Sequence, residues 1–416
     1  MVAVKFFSPS SSSTPVYKAL NNTVKLLIYR TYIADENHWE RNEFSVKASG
    51  VFLIILHITN VSWSFVIQNP AGHHEALMGN AGVAAEASEG NPLFNPAGLA
   101  FYEDPSLNFS LSGTLVNTGD SSSNLYQKSN VSVTSQTLMS SANFPIGYGI
   151  RMAPFYSFPQ SSDFYGYTDS TTGGQRARQG QELRVSSAIG GLAYAGQVTA
   201  NVAWGFSVAA TWDELELNQS LLKESTGASD LLSLHDLKQN SEIQVMPGFL
   251  WRVNDSYSLG VTGTLTALSY ISEGSRFSQS QQSGQQQGAQ SFSHYDPNFE
   301  KTSGASLGQN LRIQDWRFLF DVNYFNRTPL SENPAWQTAF GLRKNIHRRT
   351  DLLAGFNYLQ ASDYSQYFAT GGVLVSYNVY EFVLGISYKR VDSSKLFING
   401  NTFAFIFSSS LGYTTQ

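Results

Sequence analysis

Beyond residue 105, apolar and polar residues alternate along one segment after another, the period of two that marks a strand with one greasy and one polar face. In the clearest case Trp316, Phe318, Phe320, Val322 and Tyr324 share one face, with Arg317, Asp321 and Asn323 on the other. Trp204, Phe206, Val208, Ala210 and Trp212 repeat the pattern, as do Tyr380, Phe382, Leu384, Ile386 and Tyr388. Such segments fall at roughly 106–117, 130–142, 147–158, 182–195, 202–217, 241–252, 256–271, 302–313, 315–327, 335–345, 350–360, 365–377, 380–391 and 400–413. Several are long enough to cross a bilayer as tilted strands. Fourteen is also an even number, as single-chain bacterial barrels require.

The connections sort by parity, which a soluble sandwich has no reason to do. Outer-membrane barrels alternate short periplasmic turns with long outer loops. Short links are expected at Phe144-Pro145, Asn254-Asp255, Gln314-Asp315 and Asn378, and long ones at 159–181, 218–240 and 272–301. The last of these is a Gln-, Ser- and Gly-rich stretch with too little apolar content to fold alone. Residues 218–240 carry Leu231, Leu232 and Leu234 among other leucines at partly helical spacing, which reads as a helix packed on its neighbours.

Composition narrows the class further. Charged residues make up 14% of the 416, and mean hydropathy is only −0.20. Ordinary soluble domains are roughly 25% charged, so this chain is poor in charge without being greasy. That combination fits a sheet with one apolar and one polar face, and it does not fit a bundle of membrane helices. The absence of cysteine excludes disulfides, Cys-based zinc sites and Cys nucleophiles. A net charge of −5 leaves no basic footprint for nucleic acid.

Upstream, Arg41 and Lys47 precede an uncharged run from Ala48 to Gly72 with its apolar centre at Val51–Leu56 and a small-x-small end at Ser62-Trp63-Ser64. This is the layout of a secretory signal peptide over residues 48–64. A membrane anchor would need about 20 apolar residues, and His57, Thr59, Asn60 and Ser62 interrupt the run. Residues 1–47 then form an extra segment ahead of the true start.

Residues 65–104 lie between the signal and the first strand and contain Gly79–Gly98, GNAGVAAEASEGNPLFNPAG. Gly79, Ala81, Gly82 and Ala84 let backbone pack closely, and Asn91-Pro92 and Asn95-Pro96 punctuate the stretch as turns. The composition suits a plug inside the barrel formed by residues 105–416. The spacing G-x-A-G-x-A followed by Asn95, Pro96, Ala97 and Gly98 resembles the N-terminal signature of the outer-membrane long-chain fatty-acid transport family. In that family the motif belongs to a hatch that closes a 14-stranded barrel. The resemblance further implies capture of the ligand by apolar outer loops, here Leu231, Leu232 and Leu234. It also implies lateral release through an inward kink in the third strand, for which Pro154 and Gly149 are the candidates, with Pro247 in strand six as a second irregularity.

Candidate chemistry is sparse. Alternation turns Arg151, Arg252, Arg317, Arg343 and Lys389 inward together with Asp213, Glu242, Asp321 and Glu381. Mutual neutralisation is the plain reading, and an unpaired arginine gripping a carboxylate head group is the functional one. His73, His74 and Glu75 form the single histidine cluster, but neighbours on extended chain point to opposite sides, so no metal site is expected. His235 and His294 fall in expected loops and no nucleophile elbow accompanies them, so no enzyme and no cofactor are expected.

The expectation is an all-β, transmembrane antiparallel barrel of about 14 strands with an N-terminal plug, in the outer membrane of a Gram-negative bacterium. It is a monomer that meets lipid, lipopolysaccharide and the outer-membrane assembly machinery, and no nucleic acid. By the resemblance, its function is passive transport of long-chain fatty acids or related hydrophobic compounds. A porin-like or structural barrel is the alternative, with an outer-membrane hydrolase as a more distant one.

Overall fold

In the computed structural model, residues 70–119, 127–172, 175–225, 228–281, 289–296, 303–326, 333–393 and 398–412 are described. The stretches expected to be an extra segment (1–47) and a signal (48–64), and the last aromatic, Tyr413, lie outside them.

The alternating segments become β1 (Ser106–Gly119), β2 (Gln127–Gly147), β3 (Ile150–Thr172), β4 (Gln175–Thr199), β5 (Val202–Ser225), β6 (Ala228–Asn254), β7 (Tyr257–Gln281), β8 (Ala289–Tyr295) and β9 (Ser303–Ile313). They continue as β10 (Trp316–Phe325), β11 (Ala335–His347), β12 (Thr350–Ala361), β13 (Tyr364–Tyr377), β14 (Tyr380–Ser393) and β15 (Ile398–Gly412). Fourteen of them close into an antiparallel ring in which β1 pairs with β15 and β7 with both β6 and β9. Closure leaves no unpaired edge, the condition for strands to cross lipid. β8 stands outside the ring, paired to β7 from Gly274↔Tyr295 to Ser280↔Ala289.

Burial follows the alternation. On β10, Leu319, Asp321, Asn323 and Phe325 are buried while Phe320 and Tyr324 are exposed. Trp204, Val208, Trp251, Trp336, Phe356, Tyr377 and Tyr380 are likewise exposed, a greasy outer belt with aromatic rims where lipid head groups lie.

One end of the barrel is closed by two-residue turns at 148–149, 200–201, 255–256, 314–315, 348–349 and 378–379. Tyr148, Gln314 and Asn378 open three of them at positive φ (52°, 55° and 54°), as tight hairpins demand. Such turns mark the periplasmic end. The turn expected at Phe144-Pro145 lies instead at Tyr148-Gly149, because Pro145 still pairs with Arg151.

The other end departs further from expectation. β3 to β7 run for 23 to 27 residues, whereas β9 to β15 have 10 to 15. The described residues of the expected loops 159–181 and 218–240, and of the first part of 272–301, are therefore strand. Leu231, Leu232 and Leu234 sit on β6, paired with Leu222, Leu221 and Gln219 of β5, so the helix expected there is absent. His235 and His294 are on β6 and β8 rather than in loops. Backbone pairing explains the correction: a strand leaving the membrane satisfies its peptide groups by extending the ladder whatever its side chains. β8 is tied across β7 to β6 by Tyr295, whose hydroxyl donates to Asp236 Oδ1 at 2.5 Å while Arg276 Nη2 donates to Oδ2 at 3.0 Å. Burial and that carboxylate push the Tyr295 phenol up to about 12.

Residues 70–105 run inside this ring. They carry one short helix, α1 (Asn91–Phe94), with Pro92 in its first turn, and a 3-10 turn, Pro96–Phe101, capped by Asn95 Oδ1 accepting from Ala97 N at 3.1 Å. Leu93, Phe94, Ala97, Leu99 and Phe101 pack on inward residues of β2 to β6, including Met139, Phe155, Ile189 and Leu250. Ala76, Leu77, Met78, Ala81 and Ala85 pack on the opposite wall against Leu319, Leu353, Leu374, Val383 and Ile406. A second apolar layer lies nearer the outer end and contains wall residues alone. Val185 of β4, with Leu215 and Leu217 of β5, meets Phe325, Leu359, Tyr364 and Val391 from β10 to β14. These strands are not neighbours in the sheet, so the layer closes across the lumen.

Candidate functional site

The inner segment is seated by removing side chains from the wall. Four glycine pairs face each other in the ladder, Gly205↔Gly248, Gly260↔Gly308, Gly341↔Gly355 and Gly372↔Gly385. A Cβ at Gly205 would strike the Pro96–Ala97 backbone, one at Gly260 would strike Val83 O, and one at Gly355 would strike Gly79 N and Met78. At Gly385 the space is taken by Leu77, and at Gly372 by the Leu384 carbonyl of the neighbouring strand with Leu77 beside it. The wall is thus cut away along the path of the inner chain.

Irregular backbone at membrane depth is tolerated only where protein satisfies its polar groups. Asp321 Oδ2 accepts from Gly82 N at 2.6 Å and Val83 N at 2.9 Å. Asn357 donates to Gly79 O at 2.9 Å, Thr370 to Leu77 O at 2.8 Å and Ser207 to Pro92 O at 3.0 Å.

Each motif residue has a place in this seat. Gly79 has φ +66°, and its missing side chain leaves room for the Phe356 and Phe340 backbone. Ala81 and Ala97 are fully buried. Asn95 Nδ2 bridges Val83 O (2.7 Å) and Phe249 O of β6 (3.0 Å), stitching the two halves of the segment to each other and to the wall. Pro96 lies against Gly248, and a Cβ at Gly98 would collide with Asn91 and Ala85 O.

The inward cations have varied partners. Arg252 Nε donates to Glu86 Oε2 at 2.8 Å and its guanidinium lies 3.9 Å from the centre of the Phe101 ring, with Arg312 on the same carboxylate at 3.3 Å. Arg343 Nε donates to Asp351 Oδ2 at 2.7 Å. Arg151 Nη1 and Nη2 donate to the Asp104 and Glu103 carbonyls. Lys389 is buried on β14. Arg317 makes no ion pair among the described residues: its Nε donates to Asn310 Oδ1 at 3.0 Å, and its Nη2 has no hydrogen-bond partner.

The ladder has two gaps at inward level. β2 and β3 pair at Ser141↔Phe155 and Phe144↔Met152, with no pairing at Pro154 or Ala153 between them. β6 and β7 pair at Val245↔Leu265 and Gly248↔Thr262, skipping Pro247. Pro154 keeps its partner Leu192 on β4, whereas the register shift in β3 comes between Ser157 and Gln160, where Pro159 stands. Gly149 lies in the hairpin turn at φ +70°, away from the gap.

His73 and His74, expected to diverge, converge. Residues 74–80 are turned rather than extended, with Met78 N donating to His74 O and Asn80 N to Glu75 O. Both imidazoles reach Glu381 Oε2 on β14, His73 Nε2 at 3.5 Å and His74 Nε2 at 3.1 Å. Beside Glu381 a cavity of about 280 Å³ is lined by Glu89, Tyr102, Glu103, Asp104 and Asn378. Burial, then Glu89, hold the Tyr102 phenol well above its usual range, so it stays protonated.

Sequence reasoning missed the glycine pairs, Asp321 as an anchor, and the outer apolar layer. A glycine at an inward register position was the available signal for the first.

No protein-family model matches the sequence, and neither does any curated protein sequence. Solved structures do match. The Ralstonia pickettii toluene transporter TbuX is similar over 84% of this chain and 100% of its own, with a TM-score of 0.61 at 13% identity. The Pseudomonas putida toluene transporter TodX gives 0.56 at 14% identity, covering 85% and 100%. A Pseudomonas aeruginosa FadL homologue gives 0.55 at 12%, covering 86% and 100%. The fold of this chain is therefore the one shared by these toluene transporters and the FadL homologue, in keeping with the family its Gly79–Gly98 motif resembles.

Proposed function

We propose that this barrel conducts small hydrophobic molecules, long-chain fatty acids or monoaromatic hydrocarbons, passively across a Gram-negative outer membrane. It uses no cofactor and performs no chemistry. The observation that carries this reading is the outer apolar layer, in which Val185, Leu215 and Leu217 meet Phe325, Leu359 and Val391 across the lumen. Apolar side chains in mutual contact can be parted by an apolar ligand, which replaces those contacts with its own. An open aqueous pore is not supported by a lumen filled at two levels.

Ligand entering from the outer end meets this layer first, with Leu231, Leu232 and Leu234 on the β6 extension above it as the capture surface. The inner segment beneath acts as the hatch and yields to let the ligand pass. Exit is lateral, through the ladder gap between β2 and β3 at Pro154. Arg317, with an unpartnered Nη2, is the candidate for gripping a carboxylate head group.

The test is uptake of labelled toluene and of a labelled long-chain fatty acid by Gram-negative cells lacking their own transporters. Cells expressing the intact barrel take up at least one of the two. A Leu217→Ala, Leu359→Ala pair lowers that uptake about tenfold, the equivalent of losing about 1.4 kcal/mol of apolar contact. A folded, membrane-inserted barrel that takes up neither compound sinks the proposal.

A further inference from the structure

The histidine pair of the inner segment and the glutamate of β14 make a three-ligand constellation that the transport reading leaves without a role. We propose that His73, His74 and Glu381 bind one divalent transition-metal ion of the zinc class, fastening the start of the inner segment to the barrel wall. The proposal goes beyond the transport reading and does not rest on it.

The donor set is two imidazole nitrogens and one carboxylate oxygen, the ligand types zinc prefers when sulfur is absent. The three ligating atoms lie within 4.8 Å of one another, with the carboxylate oxygen 3.5 Å and 3.1 Å from the two nitrogens. A tetrahedral zinc with ligands at about 2.0–2.2 Å places its ligand atoms about 3.3–3.6 Å apart. The carboxylate is thus near its coordinated distance from each imidazole, and closing the gap between the two imidazoles is the remaining adjustment.

The surroundings hold two of the three ligands, His73 and Glu381, as metal sites do, through the far atom. His73 Nδ1 is 2.5 Å from Ser408 Oγ, which turns Nε2 toward Glu381. Ser376 Oγ donates to Glu381 Oε1 at 3.1 Å, leaving Oε2 for both histidines. The second, independent observation is that His73 Nε2 is buried and makes no hydrogen bond. A buried imidazole nitrogen with no hydrogen bond and its nearest carboxylate oxygen 3.5 Å away is costly, and a cation between it and Glu381 Oε2 would satisfy it.

Access and charge also favour a cation. Glu381 borders the cavity lined by Glu89, Glu103 and Asp104, whose carboxylates draw positive ions inward. Arg343 Nη1, 3.5 Å from His74 Nδ1, opposes the ion, but Asp351 holds its guanidinium and offsets its charge. On binding, the metal takes the Nε2 lone pair of each neutral imidazole. His74 then carries its proton on Nδ1, and its weak contact to Arg343 is given up. Three protein ligands leave a fourth position for water from the cavity.

The experiment uses the full chain in detergent, purified without a histidine tag and stripped with chelator, and titrates it with Zn²⁺ by calorimetry and with Co²⁺ by visible absorption. One Zn²⁺ per barrel is expected, together with the intense visible band of four-coordinate Co²⁺. His74→Gln and Glu381→Gln each weaken Zn²⁺ binding at least tenfold and remove the band, while His235→Gln on the β6 extension changes neither. Equal affinity in a His74→Gln, Glu381→Gln double variant would overturn the site. Because a wall variant can fail to fold, hydrogen exchange of residues 71–80 is measured in the wild-type barrel as well. Bound Zn²⁺ slows it at least tenfold, since an ion that binds only the seated segment stabilises the seat. Unchanged exchange at saturating Zn²⁺ refutes the fastening.

Discussion

The lumen is filled twice, at two depths and in two different ways. At the inner level the barrel is plugged by its own chain, and its backbone is held at named points: glycine pairs make room for it, and Asp321, Asn357, Thr370 and Ser207 each satisfy a named peptide group. At the outer level only wall side chains meet, with Leu215, Leu217, Leu359 and Val391 touching across the lumen. The first layer is specified by hydrogen bonds and shape, so changing it means breaking particular contacts. The second is held mainly by apolar contact, with the Tyr364 hydroxyl donating to Gln366 Oε1 at its edge, and apolar contact is non-directional and can be exchanged for contact with a ligand. A channel for hydrophobic molecules needs both: a layer that yields to the ligand and a layer that yields only to something that moves it.

The largest effect is expected from filling one of the wall glycines. Gly355→Leu puts a side chain where Gly79 N and Met78 now lie. Neither neighbour is a flexible tip, so the inner segment has to leave its seat rather than adjust. Overpacking in a well-packed core costs about 1–3 kcal/mol where the surroundings can shift, and here backbone blocks the shift. The barrel ring itself, closed by ladder bonds elsewhere, is expected to survive. The measurement is hydrogen exchange of residues 71–85, slow in the wild type and about tenfold faster or more in the variant. The companion change Gly113→Leu, where a Cβ meets nothing, should leave that exchange at the wild-type level. If both variants behave alike, the glycine pairs are not a seat.

Removing a polar anchor comes next. Asp321→Ala strips the acceptor from Gly82 N and Val83 N, both buried. Each orphaned buried donor costs about 1–3 kcal/mol, so a loss of about 2–4 kcal/mol is expected, concentrated in the inner segment. Hydrogen exchange should speed up at residues 79–85 and remain unchanged in β13 and β14. Asp321→Asn keeps an acceptor oxygen in place and should recover most of the protection. Uniform acceleration across the barrel would mean that Asp321 supports the wall rather than the segment.

How much of this was legible in the sequence follows from the same contrast. Trp316 to Tyr324 could be read as a spanning strand because lipid on one side and a polar lumen on the other impose alternation on every crossing. The β3 to β7 extensions could not, because outside the membrane nothing imposes it: Leu231 and Leu232 are adjacent, and both are strand. At Gly79 and Asn95 composition gave the right kind of place, small residues and turns, yet the groups that hold it are remote in sequence. Asp321 lies 239 residues from Gly82, and alternation says only that it faces inward. His73 and His74 were misjudged for a local reason. The argument that neighbours diverge assumes extended chain, whereas the peptide groups from His74 to Asn80 are folded into turns.

The smallest effect, and the most informative about direction of travel, concerns the two ladder gaps. Pro154 interrupts β2–β3 pairing and Pro247 interrupts β6–β7 pairing, for the same reason: neither has an N–H to donate. Replacing either with valine restores a donor to a strand that already favours β-branched residues, and each should stabilise the wall by about 0.5–1.5 kcal/mol, one ladder bond. On thermal melting the two variants are therefore alike. On uptake they are expected to part. If ligand leaves sideways at Pro154, Pro154→Val closes the exit and lowers uptake several-fold, while Pro247→Val leaves it unchanged because Thr262 already bonds the Pro247 carbonyl across that gap at 2.9 Å. The reverse ranking moves the exit to the β6–β7 wall. Equal uptake by both variants at wild-type level removes lateral exit from the mechanism and leaves displacement of the inner segment as the way through.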